Sequence, residues 1–257
     1  MDNDDKQVGQ ILNRRDALKV LGIGSAAALL AACAPELATE TLSPAAVAPA
    51  TQLLTEATAI NTALPMCVVR PELTEGPYFV DEMLNRSDIR SDPSDGAVTD
   101  GAPFNLAFKV SQVGSNECTP LSGTQVDIWQ CDANGVYSDA QDPGFNTKGK
   151  KFLRGYQVTD ANGLAQFITI YPGWYDGRAV HIHFKIRINN YEFTSQLFFD
   201  EAFTDQVYLQ EPYAQKGERT RRNENDNIYQ NGGNQLLLNV TPDGAGYTAT
   251  FDIGVQI

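Results

Sequence analysis

Residues 66–257 of this 257-residue sequence predict an all-β domain, a β-sandwich with irregular loops and little helix. Short segments rich in β-branched and aromatic residues, partly alternating with polar ones, recur along this part of the chain. Turn residues separate these segments, and no long helical pattern interrupts them. The predicted strands are 105–113, 124–129, 164–170, 180–188, 191–199, 236–240 and 247–255.

Turn residues and one long polar segment complete the predicted domain. The stretches Asp160-Ala161-Asn162-Gly163, Asn189-Asn190 and Pro242-Asp243-Gly244 are typical of turns between strands. Residues 200–234 are polar and rich in loop formers, so we expect them to be partly helical and to lie over the sandwich. Trp129, at the end of a predicted strand, is expected in the core.

The first 65 residues predict an export signal and a disordered tether that precede the fold. In residues 1–33, Arg14-Arg15 stands before an uncharged, Ala-rich run that is short for a membrane span, which indicates a twin-arginine signal peptide. Cys33 follows Leu30-Ala31-Ala32 in the lipobox position, so we expect a lipid anchor; a cleaved signal with an incidental cysteine is the alternative. Residues 34–65, rich in Ala, Thr and Pro, are typical of a flexible linker.

Export by this route has chemical consequences. The twin-arginine pathway moves folded proteins, so a metal can be inserted in the cytoplasm before the protein reaches the periplasm or cell surface. The destination permits disulfides, and Cys67, Cys118 and Cys131 allow one bridge. Cys118 and Cys131 flank a predicted straight strand, so a bridge from Cys67 to either one is at least as plausible, and the pairing stays open.

The strongly acidic composition restricts the partners. A formal net charge of −13 argues against nucleic acid and against electrostatic binding to anionic lipid. Membrane attachment is therefore expected only through a lipid on Cys33. The oligomeric state is left open by the sequence, with a homodimer as one option.

Both histidines of the chain lie in the segment His181-Ile182-His183. Side chains at positions i and i+2 of a strand point to the same face, so both imidazoles can reach one metal ion. The segment Pro172-Gly173-Trp174-Tyr175 ends the preceding strand, which places Tyr175 and Arg178 on the connecting loop near both imidazoles. A deprotonated tyrosine is a hard oxygen ligand that suits Fe(III) better than Zn(II) or Cu(II).

From Cys67 onward the sequence resembles the intradiol ring-cleavage dioxygenases, the family of protocatechuate 3,4-dioxygenase and catechol 1,2-dioxygenase. The motifs that carry the resemblance are Thr74-Glu75-Gly76-Pro77-Tyr78, Val126-Asp127-Ile128-Trp129-Gln130 through Asn134-Gly135-Val136-Tyr137, Thr159-Asp160, and Pro172-Gly173-Trp174-Tyr175 through Arg178 to His181-Ile182-His183. The resemblance implies one Fe(III) held by Tyr137, Tyr175, His181 and His183. The implied substrates are a small aromatic diol and O₂.

Further roles follow from the same resemblance. A catechol dianion would displace Tyr175, which would then act as a base, while Arg178 would stabilise the electron-rich substrate and Gln196 would assist. Gly76, Pro77 and Tyr78 would line the substrate mouth, with a structural turn as the alternative. Tyr78 also follows a Gly-x-Tyr spacing and is therefore a rival of Tyr137 for the metal. Arg178 could instead form an exposed ion pair with Asp176.

Only five residues separate Tyr175 from His181, which predicts an open pocket and a broad range of catechols rather than protocatechuate in a dedicated carboxylate pocket. Two other classes of function remain. The same sandwich could be a surface binding module without a catalytic metal, since fold alone does not define function. A Zn or Cu hydrolase is weaker, because Asp176 is the only obvious general base in the motif.

Overall fold

A computed structural model describes residues 68–114 and 117–257. The predicted signal peptide, the lipobox cysteine and the linker lie outside the described residues. The strands, in chain order, are β1 (Pro103–Val113), β2 (Cys118–Pro120), β3 (Gln125–Trp129), β4 (Gln141–Asp142), β5 (Phe145–Asn146), β6 (Arg154–Val158), β7 (Leu164–Ile170), β8 (His181–Ile188), β9 (Tyr191–Phe198), β10 (Thr241–Asp243) and β11 (Gly246–Val255).

The strands form two main sheets and a small hairpin. In the first sheet β1 pairs in parallel with β11 along one edge, and β2 and β7 pair antiparallel with different parts of β1 along the other. The second sheet has the order β6-β3-β8-β9 and is antiparallel throughout. A separate hairpin of β4 and β5 lies in the long connection between β3 and β6.

Aromatic side chains fill the space between the two sheets. Phe184 of β8 lies 5.3 Å from Phe108 of β1 and 5.6 Å from Phe251 of β11, measured between ring centroids, and all three are buried. Alternation along β1 supplies such residues, because every second side chain points inward. The predicted β-sandwich class is confirmed, and the fold provides a rigid base for the loops at its edge.

The polar segment after β9 is partly helical, as predicted. It contains α1 (Glu201–Val207) and α2 (Asn227–Gln230), together with short 3₁₀ turns at Tyr213–Lys216, Asn223–Asn225 and Gly233–Gln235. None of the helices in the described parts of the chain is long and apolar enough to cross a membrane.

One predicted strand was wrong and five strands were missed. Residues 236–240 make only a single strand-like pairing, between Leu237 and Phe198. Leu236 and Leu238 are nevertheless buried, so their alternation reflects core packing without an extended ladder. The sequence prediction omitted β2, β6, β10 and both strands of the β4–β5 hairpin, whose polar or very short segments lack a clear period of two. Pro242 and Asp243, predicted in a turn, belong to β10.

Cys118 and Cys131 are not bonded to each other. Cys118 is in a disulfide, while Cys131 is a free, buried thiol that contacts the carbonyl oxygen of Gly173 at 3.4 Å. The partner of Cys118 is therefore not among the described cysteines. Burial raises the pKa of Cys131 to about 12, so this thiol stays protonated.

Candidate metal centre

The two histidines lie at the start of β8, and their rings converge on one point. His181 and His183 are at positions i and i+2, and their Nε2 atoms lie 3.0 Å apart. Both side chains are almost completely buried. Two ligand nitrogens at about 2.1 Å from one metal ion and at right angles to each other would be about 3 Å apart, so this spacing is suitable for a shared ion.

The tautomer of His181 and the lowered pKa values of both histidines favour binding to a metal ion. Nδ1 of His181 donates to the carbonyl oxygen of Ala179 at 2.7 Å, so its Nε2 carries the lone pair. Burial, with Arg178 nearby, lowers the pKa of His181 to about 3, and burial with the neighbouring His181 holds the pKa of His183 well below its ordinary value. Both rings are therefore neutral at physiological pH, the state in which an imidazole can bind a metal.

Tyr137 brings a phenol oxygen to the histidine pair. It lies on the loop between β3 and β4, is fully buried, and its hydroxyl is 3.3 Å from Nε2 of His181. Asp132 shapes the turn before it by accepting from the backbone N–H groups of Asn134 and Val136, and Gly135 takes the positive φ of 80° that the turn requires. The turn thereby aims the ring inward.

Tyr175 lies on the loop between β7 and β8, beside the other predicted ligands. Its ring centroid is 5.6 Å from that of Tyr137 and 5.8 Å from that of His181. Unlike Tyr137, it is only half-buried and lines a surface cleft. The structure therefore brings all four predicted ligands together, and Tyr175 is the one that a substrate in the cleft can approach.

The donor set fits a trivalent iron ion. In the described part of the chain, no three His, Cys, Asp or Glu side chains gather to hold a metal, so a metal at the histidine pair would need the tyrosines as further ligands. Phenolate oxygen combined with neutral imidazole suits Fe(III). Nε2 of His181 contacts both the Tyr137 hydroxyl and Nε2 of His183. Three donor atoms of these two kinds therefore lie together at a buried position.

Arg178 and Gln196 form a buried hydrogen-bonded pair next to Tyr175. The guanidinium of Arg178 donates to Oε1 of Gln196 at 2.6 Å and lies 3.5 Å from the Tyr175 hydroxyl. Gln196, opposite His183 on β9, donates in turn to the carbonyl oxygen of Thr74 at 2.9 Å. The predicted catalytic residues are therefore in contact with one another and with a predicted ligand.

The alternative ion pair between Arg178 and Asp176 does not form. Arg178 is buried and pairs with Asp226 at 2.9 Å, whereas Asp176 is exposed and accepts from the hydroxyl of Thr220. Burial raises the pKa of Asp226, but Arg178 and the backbone N–H groups of Ala179 and Tyr229 outweigh this effect and bring the pKa below its ordinary value. The pair is therefore ionised.

A cleft of about 920 Å³ is lined by Tyr175 and Arg178. Pro77 and Tyr78 line it, as predicted, while Gly76 is not among its lining residues and instead donates from its backbone to the Thr74 hydroxyl. The Tyr78 ring stacks on Tyr137 at 4.5 Å, but its hydroxyl donates to Asp142. This orientation favours Tyr137 over Tyr78 as the ligand.

Three contributors to the site were missed from the sequence. Asp226 holds Arg178, and the ammonium of Lys216 joins the two tyrosine loops by donating to the carbonyl oxygens of Asn134 and Trp174. The ring of Trp129, expected only in the core, also stacks on His183 at 4.9 Å with an interplanar angle of 6°. Asp226 and Lys216 lie in a polar segment without periodicity, where only the helix-capping pattern Asp226-Asn227 offered a signal.

The fold is a β-sandwich whose candidate metal centre is lined by tyrosines and histidines, and known proteins are similar to it in sequence and fold. A family model described as Dioxygenase matches residues 74–221. An intradiol ring-cleavage dioxygenase from Tetranychus urticae superposes with a TM-score of 0.67 and 32% identity, over 74% of this chain and 95% of that one. The chain belongs to the intradiol ring-cleavage dioxygenase family, as the motifs predicted.

Two curated relatives are similar over shorter stretches. The catechol 1,2-dioxygenase of Candida albicans is 32% identical over 117 residues, which cover 37% of each protein. The protocatechuate 3,4-dioxygenase beta chain of Burkholderia cepacia is 31% identical over 133 residues, which cover 48% of this chain and 56% of the relative. The chain thus spans roughly one third to just over half of the length of these curated relatives.

Proposed function

We propose that this protein is a non-haem Fe(III) dioxygenase that opens catechol-type rings between the two hydroxyl-bearing carbons and incorporates O₂ to give muconate-type products. Tyr137, Tyr175, His181 and His183 would hold the ion. The observation that carries the proposal is the convergence of two Nε2 atoms and the Tyr137 hydroxyl within 3.0 and 3.3 Å. Family membership supports the reaction type.

Ferric iron bound there would draw electron density from a coordinated catecholate, which makes the ring reactive towards O₂. The residues around it have separable tasks. Tyr175, at the cleft, can accept a proton from a substrate hydroxyl. Arg178, fixed by Gln196, places a permanent positive charge where the ring becomes electron-rich. Tyr78 and Phe145 supply aromatic surface on the cleft wall.

We infer a broad range of catechols as substrates. The names of the curated relatives include catechol and protocatechuate. The cleft of about 920 Å³ is at the upper end of the range for small-molecule pockets, which supports acceptance of substituted rings. Turnover of a panel of catechols with small, large, charged and neutral substituents tests this inference. Strict selectivity for one compound would refute it.

Metal analysis combined with a visible spectrum tests the enzymatic proposal directly. The purified protein should contain about one iron per chain and be red-brown through tyrosinate-to-iron charge transfer, and anaerobic catechol should shift this band. Tyr137→Phe should remove much of the band and the activity. Tyr171→Phe is the matched control, because the Tyr171 hydroxyl is also buried but bonds Thr204 away from the site. A colourless protein that stays inert after reconstitution with iron would favour the binding-module alternative.

The location is proposed from the sequence motifs alone. We propose export by the twin-arginine route and a lipid anchor on Cys33, which would place the enzyme in the periplasm or at the cell surface. Fractionation of cells that express the native sequence and Cys33→Ser tests this proposal. Recovery of both proteins in the same soluble fraction would contradict the lipid anchor. The oligomeric state stays open, with a homodimer as one option that light scattering can test.

A further inference from the structure

The buried carboxylate of Asp226 accepts hydrogen bonds from Arg178, on the substrate side of the site, and from the backbone of Ala179, next to His181 on the metal side. Asp226 is 1% exposed. Its Oδ2 accepts from Nε of Arg178 at 2.9 Å and from the backbone N–H of Ala179 at 2.7 Å. Its Oδ1 accepts from the backbone N–H groups of Ile228 and Tyr229, which begin α2. The carboxylate is therefore fixed by its helix and presents its second oxygen to the site.

The first contact fixes the direction of Arg178. With Nε bonded to Asp226, the rest of the guanidinium faces Gln196 and the Tyr175 hydroxyl. A guanidinium is planar, so a bond to one edge determines where its remaining N–H groups point. Without Asp226, the buried cation would lose a charged partner and one of the bonds that fix its direction.

The second contact reaches His181 through one residue of backbone. Asp226 accepts from the N–H of Ala179, and the carbonyl oxygen of the same residue accepts from Nδ1 of His181 at 2.7 Å. The Nδ1 bond sets the tautomer and the ring orientation of His181. Partners of this kind typically change metal affinity or activity by about 10–100-fold when they are removed.

We propose that Asp226 is a positioning residue that sets the orientation of both Arg178 and His181, and so couples the substrate side of the site to its metal side. The inference rests on the proposed function, because both targets act there. It assigns no direct contact with substrate or metal to Asp226 itself.

Asp226→Ser isolates this role. A serine hydroxyl still caps α2, since serine is among the best N-cap residues, but it lacks a second oxygen for Arg178 and Ala179. Asp200→Ser is the matched control, because Asp200 caps α1 by accepting from Phe203 at 2.8 Å and has no described bond to a site residue. Each variant is compared with the native enzyme for kcat and KM per bound iron, and for the rate of iron loss to a chelator.

Asp226→Ser should lower kcat per bound iron about 10–100-fold with little change in KM, and should speed iron loss about 10–100-fold. Asp200→Ser should leave all three quantities unchanged. In an Arg178→Ala background, adding Asp226→Ser should change kcat less than about threefold, because the effect acts through that arginine. The faster iron loss should persist there, because it acts through Ala179.

The double variant also covers the case in which Asp226→Ser does not fold. It removes the buried cation together with its partner, which avoids the unpaired charge that is costly in a protein interior. A purely structural role would lower the unfolding free energy but leave kcat per bound iron and the rate of iron loss at native values, and that result overturns the inference. If instead the native protein binds no iron and opens no catechol ring, the proposed function has failed.

Discussion

A single methyl group at Gly173 should separate the two loops that carry the tyrosines. Gly173 precedes Tyr175 and donates its backbone N–H to the carbonyl oxygen of Asp132, on the loop of Tyr137. A Cβ there would lie 2.3 Å from that oxygen and 2.5 Å from the carbonyl oxygen of Ala133. Ordinary contact begins at 3.4 Å, so the loops must move apart by about 1.1 Å in Gly173→Ala.

The clash involves only backbone, so no side-chain rotation can relieve it. Overpacking of this kind costs roughly 1–3 kcal/mol of unfolding free energy. A displacement of about 1 Å in a catalytic constellation can cost about 10²-fold in rate. We therefore expect Gly173→Ala to lose about 10²-fold in kcat per bound iron and to have an altered tyrosinate-to-iron band.

Gly144→Ala is the control for this substitution. Gly144 lines the cleft beside the site, and its Cβ would meet only Oδ1 of Asp142, at 3.8 Å. The assays are iron content, the visible spectrum, catechol turnover and urea denaturation of both variants. A Gly173→Ala protein with the native spectrum and native kcat would show that the loop spacing does not control the site.

Three further predictions concern the core, the site and the pH dependence. Phe184→Ala should cost about 3–5 kcal/mol in urea denaturation, because it leaves a cavity between the sheets, and a loss below about 1 kcal/mol would contradict the packing. Gln196→Leu should lower kcat at least tenfold, since it removes one hydrogen-bond acceptor of Arg178, whereas Gln196→Glu keeps an acceptor and should lose less; equal losses would refute this reasoning. Burial, opposed by Arg187 and Gln125, raises the pKa of Asp127 from 3.8 to about 6. Between these two pKa values the carboxyl group is protonated in the folded protein but ionised in the unfolded chain. The unfolding free energy of the native protein therefore falls as the pH rises from about 4 to 6. The unfolding free energy of Asp127→Asn, relative to that of the native protein, should rise by up to about 3 kcal/mol between pH 4 and pH 7.5, and a pH-independent difference would exclude the effect.

The fold class and the position of the site were predictable because they depend on local patterns. The alternation in β1, β7 and β8 gave strand positions within about two residues. Two histidines at i and i+2 after a Pro-Gly turn placed the imidazoles on one face, and the structure has them there. Such predictions need only the geometry of a single strand and its loop.

The remaining parts depend on contacts between distant segments. Asp226 lies 48 positions from Arg178 in the chain, and no local signal links them. The need for glycine at position 173 follows from the approach of a second loop rather than from a positive φ, so its sequence context shows only a turn. The buried leucines of 236–240 misled the strand prediction, because alternation reports burial and not hydrogen bonding.

The parallel pairing of β1 with β11 has a consequence for biosynthesis. Phe104 is opposite Tyr247, 143 positions further along the chain, so one edge of β1 has no neighbour until the ribosome has synthesised β11. Closing so large a loop is entropically slow, and an open strand edge can pair with other nascent chains in the meantime. Folding of this domain should therefore wait until β11 has been synthesised and should benefit from a chaperone that shields this edge.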